Sequence, residues 1–297
     1  MKTTKTIALI LVLLLSLSIF AACKKSGNNT DPADETQPVA ATELVKTIGI
    51  SLTDEEYALG VSKNDEELLA KANEYIAQIK ADGTLETIIA KYFSEDGEPA
   101  VIASAAEDAS KDQLIVATNA AFPPFEATEG DNYTGIDMEI AQGLAEYLGK
   151  ELVIKNIEFD AILPTVDAGQ ADIAIAGLTV NETRKQTVNF TESYYTASQV
   201  LIVPADDTAF DACASTDDVI DVLNKLTEND KIGVQKGTTG NYFVEGDEDW
   251  GFDGLPVTCV TYANGALAVQ DMVNGNINYV IIDEAPASFI AASINGN

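Results

Sequence analysis

Three short stretches hold residue types that can grip a small organic ion. In "AGLTVNETRK" (176–185) a strand-like run ends at Gly177, leaving backbone amides and carbonyls beside the Thr179 hydroxyl. Arg184 follows seven residues later, and its planar guanidinium offers a fork of donors that matches a carboxylate. In "VQKGTTGNYF" (234–243) a strand turns through small residues into a helix, so the amides around Thr238, Thr239 and Gly240 point toward an anion. The glycine spacing is not that of a P-loop, and no Lys-Ser or Lys-Thr pair follows. In "YVIIDEAP" (279–286) an apolar strand ends in Asp283 and Glu284, where a carboxylate receives an ammonium or caps the next helix. Each stretch alone has an ordinary explanation: a surface arginine, a tight turn, a helix cap. Together, Arg184 and the Thr239 turn suit an α-carboxylate and Asp283 suits an α-ammonium. That is the charge pattern of a free amino acid.

Holding these groups in one place takes alternating strands and helices. From Leu114 the chain reads as the strand "LIVAT", then "DMEIAQGLAEYLGK" with Ile140, Leu144 and Leu148 at helical spacing, then the strand "ELVIKNIEF". The short helix "DAILPTVDAGQ" and the strand "ADIAIAGLT" follow, and "SQVLIVPADD" leads out of a first lobe. A second cycle runs through helical "DDVIDVLNKL", the strand "KIGVQ" and a helix opening at "TTGNYF". The strands "LPVTCVTY" and "NINYVII" flank helical "NGALAVQDMVNG", and "APASFIAAS" closes as a helix. This order calls for two α/β lobes, each a parallel sheet with helices on its faces. Ahead of them, residues 64–93 read as a helix pair. Ser62 and Asp65 offer a capping box, and Leu69, Ala72, Tyr75, Ile76 and Ile79 form an apolar stripe. Gly83 offers a left-handed stop and Thr84 a cap for the next helix. The stretch "SEDGEPAVIASAAEDASKDQ" reads as a surface connection outside the core.

The chain has 297 residues, 46% of them hydrophobic, enough for a signal segment and a two-lobed domain with a packed core. Its 17 basic and 48 acidic residues give a net charge of -31, a field that repels nucleic acid and anionic lipid headgroups. Histidine is absent. That removes Ser-His-Asp and Cys-His chemistry and His-based zinc sites, and neither a metal nor a cofactor is implied. At the N-terminus, Lys2 and Lys5 precede an apolar run from Ile7 to Phe20, then Ala21, Ala22 and Cys23. This is the three-part pattern of an export signal, with an apolar run short for a membrane span. Residues 26–39, rich in Gly, Asn, Asp, Thr and Pro, read as a flexible tether. Export permits a disulfide between Cys213 and Cys259, and sequence alone leaves that pairing open.

These pieces resemble the family 3 solute-binding proteins of bacterial amino-acid ABC importers. The resemblance rests on "FPPFE", "GIDMEIA", "FDAILPTVDAGQADIAIAG", "YYT", "GTTG" and the Gly177-Thr179-Arg184 spacing. It covers Leu114 to about Ser293 and, separately, about Leu44 to Phe93. It implies an α/β, two-lobed periplasmic-binding-protein-like (type II) fold, each lobe a mostly parallel sheet flanked by helices, with two hinge strands about which the lobes close. It also implies that Gly177 and Thr179 bind the ligand's ammonium and carboxylate. Arg184 grips the carboxylate with help from Thr238 and Thr239 at the helix start, and Asp283 takes the ammonium. Phe122 and Phe159 flank the ligand side chain, although each alone is more often core. Asn119 stands where many relatives carry an Asp against that side chain. The lost charge favours a polar, glutamine-like ligand over a cationic one, with Asp160 able to supply a charge. The residues before Cys23 resemble a lipobox, with Phe20 in the usual place of Leu, which implies a lipid anchor on the bacterial membrane. The implied partner is an ABC permease. Two rivals remain: a carboxylate-dependent dehydratase, with Glu126 or Glu284 as the acid, and the ligand-sensing subunit of a signalling receptor.

In the family, a segment like residues 47–93 follows the strand and helix that here close the chain. Its position ahead of Leu114 implies a circularly permuted order. The expected layout is a signal peptide (1–22), a lipid-anchored tether (23–41), lobe 1 from 54–93 and 113–203, and lobe 2 from 42–53 and 204–297. A linker, 94–112, joins the family's usual ends and spans up to about 60 Å if extended. A monomer is expected, with two competing arrangements: a stray remnant of an upstream copy, and an arm completing a neighbour in a swapped dimer.

Overall fold

The computed structural model describes residues 43–94 and 96–296. The expected export signal, Cys23 and the expected tether lie outside them. In chain order come β1 (Val45–Ile48), β2 (Glu55–Tyr57), β3 (Gly60–Ser62), α1 (Glu66–Ala81) and α2 (Thr84–Phe93). Next are β4 (Gln113–Thr118), β5 (Ala121–Phe122), β6 (Glu126–Glu129), β7 (Asn132–Thr134), α3 (Ile136–Leu148) and β8 (Glu151–Asn156). A 3-10 turn (Phe159–Ala161) leads to α4 (Ile162–Asp167), β9 (Ile173–Ala174), α5 (Glu182–Lys185), β10 (Val188–Phe190), β11 (Tyr195–Ala197) and β12 (Gln199–Pro204). The remainder is α6 (Thr216–Leu223), β13 (Lys231–Gln235), α7 (Thr239–Glu245), β14 (Thr258–Tyr262), α8 (Gly265–Val273), β15 (Tyr279–Asp283) and α9 (Glu284–Asn295).

Two five-stranded sheets form the two lobes, ordered β10-β3-β9-β4-β8 in lobe 1 and β1-β12-β15-β13-β14 in lobe 2. In each, three strands run parallel, as strand-helix-strand crossovers require. The two remaining strands add antiparallel pairings, because they arrive through the segments that pass between lobes. β15 is buried along its whole length and β12 along all but its last residue, which fits their near-continuous apolar runs. The chain crosses between the sheets twice, from β1 to β3 and from β10 to β12. The two crossings pair with each other as the antiparallel ribbon β2–β11, with Tyr195 opposite Tyr57 and Ala197 opposite Glu55.

Helices α1 and α2 pack on α3 through Tyr75, Ile76, Ile79, Leu85 and Ile88. Gly143 of α3 is what admits Tyr75: a Cβ there would meet the Tyr75 hydroxyl at 2.0 Å. Ala72, Tyr75, Ile76 and Ile79 of the expected stripe are buried, and only its first member differs: Leu68 is buried and Leu69 half-buried. Asp65 alone caps α1, accepting the Leu68 amide, and Ser62 takes no part in a capping box there. Gly83 has φ 81° as expected, but it is itself the N-cap of α2, and Asp82 rather than Thr84 supplies the side-chain oxygen. Within the connection 94–112, Ile102 is buried and exchanges two backbone hydrogen bonds with Tyr133, so this stretch is partly core after all. Near the other end, the Asn295 side chain accepts the amides of Leu44 and Val45 and donates to the Val45 carbonyl. Cys213 and Cys259 are free thiols, each half-buried beside the apolar cluster of lobe 2. No helix among the described residues is long and apolar enough to cross a membrane.

Candidate functional site

A small cavity lies where the lobes meet. Phe122, Phe159, Gly177, Thr179 and Arg184 reach it from lobe 1, and Gln235, Thr238, Thr239 and Asp283 from lobe 2. The local sequence explains each position. The chain leaves β9 through "AGLT", and Gly177 adopts φ 50°, which favours glycine; a Cβ there would meet Phe122 at 3.0 Å and Tyr57 at 3.3 Å. The turn after β13 uses Thr238 as N-cap of α7, its hydroxyl facing the Asn241 amide, which brings Thr239 into the cavity wall. β15 delivers Asp283 at its last residue, and the side chain makes no capping bond to α9.

Arg184 is 7% exposed, and burial lowers its guanidinium to about 10. Nη1 donates to the Thr179 carbonyl at 2.8 Å and Nη2 to the Gly237 carbonyl at 3.1 Å, a contact between lobes. The Phe159 and Trp250 rings approach its Cζ at 5.4 and 5.0 Å, so the cation is also held by aromatic faces. No carboxylate among the described residues lies within ion-pairing distance of it. Two of its five N–H groups thus have protein acceptors.

Asp283 is 5% exposed, and burial, reinforced by the nearby Glu55 charge, pushes its carboxyl up to about 7. The Tyr57 hydroxyl donates to it at 2.5 Å. Glu55, two residues before Tyr57 and on the same face of β2, is buried as well. Its carboxylate accepts the hydroxyls of Thr53, Thr179 and Thr239 and the Gln199 amide. Both carboxylates therefore come from, or are held by, the ribbon between the lobes.

Eight of the nine ligand-site residues expected from the sequence line this cavity: Phe122, Phe159, Gly177, Thr179, Arg184, Thr238, Thr239 and Asp283. Asn119 does not. Its Nδ2 donates to the Ile157 carbonyl at 2.8 Å and its Oδ1 accepts Gln235 Nε2 at 2.9 Å, making it a link between lobes. Asp160 pairs with Lys236 at 2.8 Å and lines a neighbouring depression instead. Glu126 and Glu284, the two acids weighed for a dehydratase, are not in the cavity wall; Glu126 is fully buried and Glu284 exposed. The sequence reading missed Gln235, Tyr57 and Glu55. The tripeptide "EEY" has no alternation that tells which Glu is buried, and the strand turns Glu55 inward beside Tyr57. Among the described residues no group of three or more His, Cys, Asp or Glu is placed to hold a metal ion.

The model for bacterial extracellular solute-binding proteins, family 3, matches residues 9–95 and 114–279. The arginine-binding extracellular protein ArtP of Bacillus subtilis is 34% identical over 99 residues, which cover 33% of this chain and 39% of that protein. A probable histidine-binding protein of Neisseria gonorrhoeae is 29% identical over 171 residues, covering 57% of this chain and 58% of that one. The chain thus spans about four-tenths to six-tenths of these relatives' lengths. Among solved structures, an ancestral arginine-binding protein bound to glutamine superposes with a TM-score of 0.52 at 28% identity, covering 62% of this chain and 74% of that one.

Proposed function

Because the chain belongs to the bacterial extracellular solute-binding proteins, family 3, we propose that it is an extracytoplasmic receptor that closes two lobes around a polar amino acid and delivers it to an ABC permease. The observation that carries this is one small cavity lined by both a buried guanidinium with unused donors and a buried carboxylate, with no ion pair between them. A zwitterion supplies both missing partners. An apolar competitor supplies neither and leaves two desolvated charges uncompensated. Closure turns on the β2–β11 ribbon, which joins the lobes.

The ligand side chain meets Gln235, whose Oε1 is buried without a donor, between Phe122 and Phe159. An acceptor there favours a side chain that carries N–H groups. Glutamine fits, and so do the arginine and histidine for which the relatives are named. A thermal-shift screen of the twenty amino acids followed by calorimetry tests this. A true ligand at 100 times Kd adds roughly 2.7 kcal/mol of stability. If no amino acid raises the melting temperature, the receptor assignment fails.

Lipid anchoring at Cys23 and a permuted order belong to the same proposal. Cys23→Ser is expected to release the protein from the membrane fraction; retention there overturns the anchor. Permutation is supported by the two-part family match, with residues 9–95 lying ahead of 114–279. It is also supported by β1, β2 and β3 pairing within the chain with β12, β11, β10 and β9. The contact of Asn295 with Leu44 and Val45 sets the two sides of the proposed break together. Deleting residues 42–93 is expected to abolish folding and binding, and moving that segment behind Asn297 to preserve both. A deletion variant that still binds sinks the permutation, and a ligand-competent dimer of the intact chain identifies a swap.

A further inference from the structure

Glu55 is 6% exposed on the inter-lobe strand β2, and the amino-acid clamp described above does not use it. One oxygen, Oε2, accepts the Thr179 hydroxyl at 2.6 Å from lobe 1 and the Thr239 hydroxyl at 2.7 Å from lobe 2. The other, Oε1, accepts the Thr53 hydroxyl at 2.6 Å and Gln199 Nε2 at 2.9 Å. A hydroxyl has one proton and two lone pairs. Once Thr179 and Thr239 give their protons to Glu55, only lone pairs are left to face the cavity both residues line. Turning either proton toward a ligand leaves a buried carboxylate one donor short, a desolvation cost with no compensation.

We propose that Glu55 is a positioning residue that sets the polarity of this end of the cavity, making both threonine hydroxyls acceptors so that they read an ammonium and reject a carboxylate. The proposal rests on the amino-acid receptor assignment and sharpens it. The two hydroxyl oxygens lie 3.3 Å apart, and Asp283 adds a third acceptor to the same cavity wall. Three converging acceptors match the three N–H donors of an ammonium group. The ligand carboxylate is then left to the unused N–H groups of Arg184 and to backbone amides. Thr239 therefore serves the carboxylate through its backbone alone, and its hydroxyl belongs to the ammonium.

The test compares each amino acid with its des-amino counterpart: L-glutamine with glutaramate, L-arginine with guanidinovalerate, L-histidine with imidazole propionate. In Glu55→Gln the new amide donates to one threonine, whose own proton then turns to the cavity. Calorimetry is expected to show amino-acid affinity falling roughly tenfold or more, the scale of one hydrogen bond to a charged group. Affinity for the des-amino acid holds or rises, so the ratio between the two narrows. A parallel loss for both ligands, or no change, overturns the proposal, since a merely structural role moves both together. If Glu55→Gln does not fold, Thr239→Val removes one acceptor while keeping Glu55, and it is expected to weaken only the amino acid; equal loss again overturns the proposal. A wild-type protein that binds none of the three amino acids fails the receptor assignment itself. A wild-type protein that binds them with no dependence of the ratio on Glu55 fails this proposal alone.

Discussion

Glu55 and Asp283 beside the cavity, and Glu126 and Asp137 inside lobe 1, are carboxylates taken out of water in very different company. The cavity pair is supplied with donors: three hydroxyls and an amide for Glu55, the Tyr57 hydroxyl for Asp283. Arg184 lines the same cavity as Asp283. Among the described residues no cation pairs with the inner two. Neither oxygen of Glu126 finds a donor, and burial together with the Asp137 charge holds its proton on well above the usual carboxylate range. Asp137, pushed up to about 6 by burial, accepts the Tyr194 hydroxyl and the Gly177 amide. One residue type thus does two jobs. Asp283 lines a cavity where an ion can reach it, whereas Glu126 and Asp137 are sealed in the core, where Asp137 braces the strand end that carries Gly177.

The largest effects are expected on the cavity side. Arg184→Ala should weaken amino-acid binding by about 2–5 kcal/mol, the usual cost of truncating one member of a buried charge pair, while the melting temperature stays near that of the parent. An affinity within threefold of the parent would show that Arg184 does not hold the ligand. Asp283 adds a pH signature. Its free-state value of about 7 means that at lower pH an ammonium must displace a proton. Affinity is therefore expected to fall by roughly tenfold per pH unit below that point and to level off above it. Asp283→Asn binds weakly and loses this dependence. A wild-type profile flat from pH 5 to 8 would remove Asp283 from the ammonium site.

A smaller effect, and one of stability, is expected on the inner side. Carboxyls whose native values are raised hold more protons in the folded state than in the unfolded one, so their contribution is fully present below the unfolded value near 4. It is lost as pH rises through the native values, about 6 for Asp137 and well above the ordinary carboxylate range for Glu126. Urea unfolding should show stability falling from pH 5 to pH 8. Glu126→Gln, which cannot ionise, should be spared part of that loss and show a shallower slope. Identical slopes in parent and variant would mean that the inner pair does not hold a proton. The smallest effect belongs to neither pair: Asp65→Ala removes the α1 cap and should cost about 1 kcal/mol of stability with ligand affinity unchanged. A change in affinity would tie α1 to the cleft and blur the contrast.

How much of this was legible in the sequence follows from how local each feature is. Gly177, Thr179, Arg184, Thr239 and Asp283 sit at strand ends or in turns whose chemistry is written within a few residues, and all line the cavity. The strand-helix alternation from Leu114 onward was equally readable, because period and composition agree there. Glu55, Tyr57 and Gln235 were not visible. Their roles arise from β2 lying against β11 and from a lobe contact over a hundred residues long in sequence, Gln235 to Asn119. Asn119 was expected at the ligand on the strength of its position alone, and two hydrogen bonds turn it elsewhere. The small strands β5, β6 and β7, and Ile102 in an otherwise polar connection, were also unreadable, since each is fixed by a partner rather than by its own pattern.

The pairing of β1 with β12 carries a cost in time. Ile48 is matched with Leu201 and Val45 with Pro204, so the first strand of the lobe 2 sheet has no partner until about 150 more residues have been made. For an exported chain that folds after crossing the membrane, that separation is a loop of about 150 residues to close before the pair can form. The same delay applies to β2 and β3, whose partners lie in β9, β10 and β11. Helices α1 and α2 carry an apolar face that must also wait for α3. Contacts so distant in sequence slow folding, and unpaired edges left open in the meantime are the ones that misassociate. The strands that stand first in the chain are among the last to find their places.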